Sequence, residues 1–97
     1  MSDLTFFGTL ESIVLERLEN PRPGSYTANL VAAGTKRIAQ KVGEEGVELS
    51  LAAVAGDRDE LIDEAADLIY HMIVMLADQR ISLSEVSARL EARHARD

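Results

Sequence analysis

The chain of 97 residues contains no cysteine. That absence excludes a disulfide framework, a thiolate nucleophile and a sulfur-ligated metal, so any metal must take oxygen or histidine ligands. No apolar run approaches the roughly 20 residues of a membrane span. The first residues include Asp3 and no basic cluster, and so do not read as a secretory signal. Both absences fit a cytoplasmic chain with no membrane partner. Basic residues are also few: 10 Lys and Arg stand against 17 Asp and Glu, a formal net charge of -7. That balance argues against nucleic acid as a partner. It still admits a phosphorylated small molecule, because a bound cation can supply the positive charge the protein lacks. Proline is confined to Pro21 and Pro23, and no internal repeat or low-complexity tract is visible.

What is present is helical periodicity. At this length the chain is expected to form one domain over residues 1–97, with a small core. Leu10, Ile13, Val14 and Leu18 recur at helical spacing, predicting a helix from about Thr5 to Glu19. The Asn20-Pro21-Arg22-Pro23-Gly24 stretch ends it. A short helical piece is expected over Tyr26 to Ala33, stopped by Gly34. The next helix should span about Lys36 to Val54, with Ile38, Val42, Leu49 and Ala53 as its apolar stripe and Gly56 at its end. Asp57 and Glu60 resemble a capping box for a helix running to about Asp78. Ser82 and Glu85 form a cleaner one for a last helix, which Val86 and Leu90 are spaced to dock. Arg89, Arg93, His94 and Arg96 read as a solvated, fraying tail. From Leu68 to Ala77 the sequence is apolar on nearly every helical face. Such a helix belongs at the centre of a bundle or in a subunit interface. The expected fold class is therefore all-α, a helical bundle with antiparallel central helices, completed by homodimerisation.

Two acidic pairs stand out. Glu45 and Glu48 share one helix face, and Glu64 and Asp67 share a face of the next helix. The turn near Gly56 and Asp57 is too short for anything but an antiparallel hairpin. At about 1.5 Å of rise per residue, Glu48 and Glu64 lie roughly 13 and 11 Å from that turn, and Glu45 and Asp67 roughly 17 and 16 Å. The pairs are thus level across a helix separation of about 8–10 Å. Carboxylates converging in this way repel one another unless a counter-charge intervenes. Hard divalent cations provide one: Mg²⁺ first, with Mn²⁺ a plausible substitute. Neither acidic pair belongs to a Glu-x-x-His motif of the kind that di-iron bundles use, which disfavours iron. The alternative is a set of ordinary solvated acids in an acidic protein.

The neighbours carry two readings each. Glu44 is a ligand, a general base or a solvated side chain. Lys41, one turn before Glu45, pairs with that carboxylate or meets a phosphate oxygen. Lys36 and Arg37 extend the same cationic patch. His71 lies one turn beyond Asp67 and reads better as a packed supporting group than as a ligand. Ser25, Tyr26 and Thr27 contact a ligand or cap the next segment. Tyr70 points to a different side from Asp67 and reads as packing. Gly46 costs roughly 1 kcal/mol in a helix interior relative to alanine and is expected to permit close helix packing.

The runs Lys41–Glu48, KVGEEGVE, and Glu64–His71, EAADLIYH, resemble the phosphoribosyl-ATP pyrophosphohydrolases of histidine biosynthesis. Ser25-Tyr26-Thr27 fits the same family. The resemblance extends from about Phe6 to Leu90, and its wider kin are the all-helical nucleoside triphosphate pyrophosphohydrolases. It implies a cytoplasmic helical homodimer and Mg²⁺-dependent cleavage of phosphoribosyl-ATP to phosphoribosyl-AMP and pyrophosphate. It assigns Glu45, Glu48, Glu64 and Asp67 to metal, with Glu44, Glu45 and Glu48 as the catalytic carboxylates. Lys41, Lys36, Arg37, Ser25, Tyr26, Thr27 and His71 become candidates for substrate binding. The cyclohydrolase fusion partner common in this family is expected to be a separate polypeptide. Two other functions compete: house-cleaning hydrolysis of free nucleoside triphosphates at the same metal site, and a non-enzymatic metal-binding helical dimer.

Overall fold

A computed structural model describes residues 4–95; Arg96, expected in the solvated tail, lies outside them. The described residues form five helices and no strand: α1 (Thr5–Glu19), α2 (Tyr26–Ala33), α3 (Thr35–Ala55), α4 (Arg58–Asp78) and α5 (Leu83–His94). None of these helices is long and apolar enough to cross a membrane.

Local chemistry sets the helix ends. Ser25 caps α2, its hydroxyl accepting from the Ala28 N–H at 3.1 Å. Gly56 closes α3 in the left-handed conformation (φ 79°), its N–H reaching back to the Ala52 carbonyl at 3.1 Å. Glycine takes that conformation without a Cβ penalty. Asp57 then caps α4 through the Glu60 N–H at 3.0 Å. The Ser82–Glu85 capping box forms in both directions.

The hairpin of α3 and α4 is the most extensive helix pairing in the molecule. Its antiparallel sense is visible at the end away from the turn, where Thr35 Oγ1 donates to Asp78 Oδ2 at 2.8 Å. The core gathers at that end, from Val14 of α1, Leu30 of α2, Ile38 of α3, and Ile73, Val74 and Ala77 of α4. Toward the turn the hairpin is barely covered: between residues 46 and 68, Ala52 is the one buried residue. The acidic pairs sit where the hairpin leaves the core.

Two expectations are corrected. Val86 and Leu90 are spaced to dock α5; Val86 is half-buried, but Leu90 is exposed and α5 contributes no buried residue. An open groove of about 410 Å³ separates the α5 side chains Ser84, Ser87 and Glu91 from Phe7 and Glu11 of α1. What holds α5 is its first turn. Leu83 packs against the core, and its N–H donates to Glu11 Oε2 at 2.7 Å, a carboxylate placed at a helix N-terminus. Gly46 is not required for close packing either, because a Cβ built there would meet nothing within 4 Å. Arg89, Arg93 and His94 are exposed as expected, but on ordered helix.

Candidate active site

The hairpin brings three of the four acidic residues together. One carboxylate oxygen each from Glu45, Glu48 and Glu64 lies within 4.8 Å of the other two. Asp67 stands outside this group with its side chain exposed, although its charge still acts on Glu64. Its side chain is one methylene shorter than glutamate and reaches less far across the groove.

Burial makes the cluster chemically unusual. Glu45 is only 6% exposed. Its Oε1 lies 3.3 Å from Lys41 Nζ, while its Oε2 is buried and has no hydrogen-bond partner. Glu64 Oε2 is in the same condition. A buried polar atom left without a partner costs roughly 1–3 kcal/mol, more when charged. Desolvation is the largest influence on Glu64. A hydrogen bond with Glu48 and the charges of Glu48, Asp67 and Glu45 add to it, pushing the Glu64 carboxyl up to about 7.

Lys41 makes the expected ion pair with Glu45, at 3.3 Å, and a second with Glu44 at 3.7 Å. The hydrogen bond to Glu45 raises its pKa above the ordinary lysine value. Glu44 lies outside the three-glutamate group, exposed, and accepts from Gln40 Nε2 at 3.0 Å. Lys36 and Arg37 are exposed on the first turn of α3; neither makes an ion pair with the cluster carboxylates.

Behind the carboxylates, α2 is pinned to α4 by two polar contacts. The buried His71 holds Nδ1 2.7 Å from the Asp67 carbonyl and Nε2 2.9 Å from the Tyr26 hydroxyl. A carbonyl only accepts, so Nδ1–H donates to it, and the Tyr26 hydroxyl pairs with the other ring nitrogen. Thr27 is buried and hydrogen-bonds the Tyr70 hydroxyl. Burial pushes the Tyr70 phenol up, outweighing the Thr27 bond. Ser25 is accounted for as a cap. Tyr26, with 52% of its surface exposed, remains available to a ligand. Sequence spacing gives no sign of these α2–α4 contacts. They join positions 43 and 45 residues apart, and each side chain alone has a common structural use.

The phosphoribosyl-ATP pyrophosphohydrolase family model matches residues 7–94, a span that contains every one of these side chains. The chain belongs to that family. Similar curated relatives are histidine biosynthesis bifunctional proteins HisIE. The Photobacterium profundum protein is 56% identical over 91 residues, covering 94% of this chain and 44% of the relative. The Yersinia pestis protein is 54% identical over 93 residues, covering 96% and 46%. That of Campylobacter jejuni is 53% identical over 93 residues, covering 96% and 45%. The chain thus spans about half the length of the curated relatives it matches. The family match covers the acidic hairpin, the Lys41 ion pairs and the Tyr26–His71 contact together.

Proposed function

We propose that this chain is a cytoplasmic enzyme of histidine biosynthesis that hydrolyses phosphoribosyl-ATP to phosphoribosyl-AMP and pyrophosphate. In this reading Glu45, Glu48, Glu64 and Asp67 hold Mg²⁺, with Mn²⁺ able to replace it. The observation that carries the reading is the pair of buried, partnerless oxygens, Glu45 Oε2 and Glu64 Oε2, beside the gathered glutamates. An all-oxygen, multiply charged donor set is what hard divalent cations select. Such a cation, when bound, neutralises the triphosphate and makes water more acidic.

The remaining work falls to the chain. Glu44, exposed beside the cluster, accepts the proton of the attacking water at a carboxylate oxygen. Lys41 offers its ammonium to a phosphate oxygen, and Lys36 and Arg37 extend the cationic approach along α3. The Tyr26 ring, held through its hydroxyl by His71, contacts the nucleotide at the edge of the groove. Water attacks at the α–β phosphoanhydride, and pyrophosphate leaves. Among the described residues no serine is arranged as a covalent nucleophile, the sequence has no cysteine, and neither is required.

A second copy of the chain completes the fold in this proposal. Val47, Leu51 and Val54 lie on one strip of α3, exposed by 60, 63 and 88%, and Ile62 of α4 is also exposed. A small domain buries too little of its own surface to leave such a strip in water without cost. In sedimentation analysis the wild type should run as a dimer and Leu51→Lys as a monomer.

The test of the activity is an assay of the purified chain that follows pyrophosphate and phosphoribosyl-AMP together. Both should appear in equal amounts with Mg²⁺ and stop on chelation. Release that continues after exhaustive chelation contradicts the proposal. A higher kcat/KM for free nucleoside triphosphates than for phosphoribosyl-ATP moves the assignment to the house-cleaning class.

A further inference from the structure

The Lys41 side chain is four-fifths covered, drawn along α3 rather than extended into water, with its ammonium 3.3 Å from Glu45 Oε1 and 3.7 Å from Glu44 Oε1. It is the cation in direct contact with the acidic group among the described residues. Its partner Glu45 is the most buried of the cluster acids and still has an oxygen without a hydrogen bond. A divalent ion taking Glu45 as ligand comes within roughly 2.1 Å of a carboxylate oxygen. The ammonium and the metal then lie a few ångströms apart in a partly desolvated groove, where like charges repel strongly. Lysine is the partner that can yield, since its charge sits on a flexible stem with rotatable donors. Glu44, exposed and already within reach, lies on the outward side of that movement.

We propose that Lys41 is a place-holder cation that keeps Glu45 neutralised until a divalent metal arrives, and is then released to hold a phosphate oxygen of the substrate. The inference rests on the metal-site reading above and extends it to the order of events: the metal frees the lysine, and the lysine then captures the anion. The Tyr26 hydroxyl, close enough to bear electrostatically on Lys41, is fixed by His71. Metal and nucleotide should therefore respond to loss of Lys41 in opposite directions.

Calorimetric titration of the full chain with Mn²⁺ alone gives the first readout. Lys41→Met removes the competitor while retaining a good helix former. It should bind Mn²⁺ about fivefold to tenfold more tightly than wild type, whereas Lys36→Met, the same charge change without contact to the cluster, should shift affinity by less than about twofold. The second readout is binding of α,β-methylene ATP at saturating Mn²⁺, which Lys41→Met should weaken about tenfold. Lys41→Arg, which keeps the charge, should restore most of that loss. Lys41→Met affinities that fall together, rise together or stay unchanged overturn the exchange. Its failure is distinguishable from failure of the metal site itself. If wild type binds no Mn²⁺, or Glu48→Gln binds it equally well, the metal-site reading falls and the exchange with it. If binding depends on Glu48 and Lys41→Met binds no more tightly than wild type, the exchange alone is wrong.

Discussion

The groove bounded by α1, α4 and α5 encloses about 650 Å³ and is lined by polar residues including Glu11, Asp78, Ser82 and Glu85. The acidic groove between α3 and α4 is the less obvious concavity. In the first, Glu11 accepts from the Leu83 N–H, Asp78 accepts from Thr35, and Ser82 and Glu85 satisfy one another. In the second, Glu45 and Glu64 each keep a buried oxygen without a hydrogen-bond partner among the described residues. An unsatisfied buried group is the better guide, because folding tolerates its cost only where something outside the chain offsets it.

The largest effects should come from breaking the acidic groove. Glu48→Gln and Asp67→Asn should keep the helical circular dichroism of wild type while metal-dependent pyrophosphate release falls by at least about a hundredfold. Near-normal turnover in both variants would remove the distinction between the two grooves. Asp67→Asn is the more discriminating of the two, since Asp67 stands outside the gathered trio.

An intermediate effect separates the grooves by pH. In the metal-free fold Glu64 holds its proton up to about pH 7, against an ordinary value of 4.5. A raised carboxyl pKa means that protonation favours the folded state. That contribution is complete below about pH 4.5 and is lost as pH rises through 7. The melting temperature of the chelated protein should therefore decline across this window. Saturating Mg²⁺ should suppress the decline, and Mg²⁺ affinity should increase over the same range as the ligands lose their proton. A metal-free melting temperature that rises between pH 5 and 7 would contradict the assignment.

The smallest effects belong to the groove bounded by α1, α4 and α5. Ser82→Ala should cost about 1 kcal/mol through loss of the α5 cap. Glu11→Ala should cost a similar amount by taking the charged acceptor from the Leu83 N–H. Both should leave pyrophosphate release at the wild-type rate, with thermal denaturation and the assay run side by side.

Much of this architecture is legible in the sequence because its punctuation is local. Pro21 and Pro23, Gly34, Gly56 with Asp57, and Ser82 with Glu85 act within a few residues of themselves, and the ends of the first four helices fall within a residue of those expected, while α5 runs on through the stretch expected to fray. The levelling of Glu45, Glu48 and Glu64 is legible for a similar reason, since a short turn and a fixed rise per residue determine it. What depended on tertiary placement was not. Leu90 has the spacing of a docked residue, but the Gln79–Ile81 connection, with Arg80 at φ 60°, leads into a helix whose flank faces an open groove. The reach of Asp67 depended on side-chain length across a gap that spacing does not measure. The Tyr26–His71 and Thr27–Tyr70 contacts required knowing that α2 lies against α4.

The most direct test is diffraction from crystals grown with Mn²⁺, using its anomalous signal to locate the ion. A peak is expected at coordination distance from carboxylate oxygens of Glu45, Glu48 and Glu64, with Asp67 turned in to complete the set and the two buried partnerless oxygens facing it. Well-ordered crystals at saturating Mn²⁺ that show no peak there, with those glutamates bonded only to protein or water, would contradict that expectation.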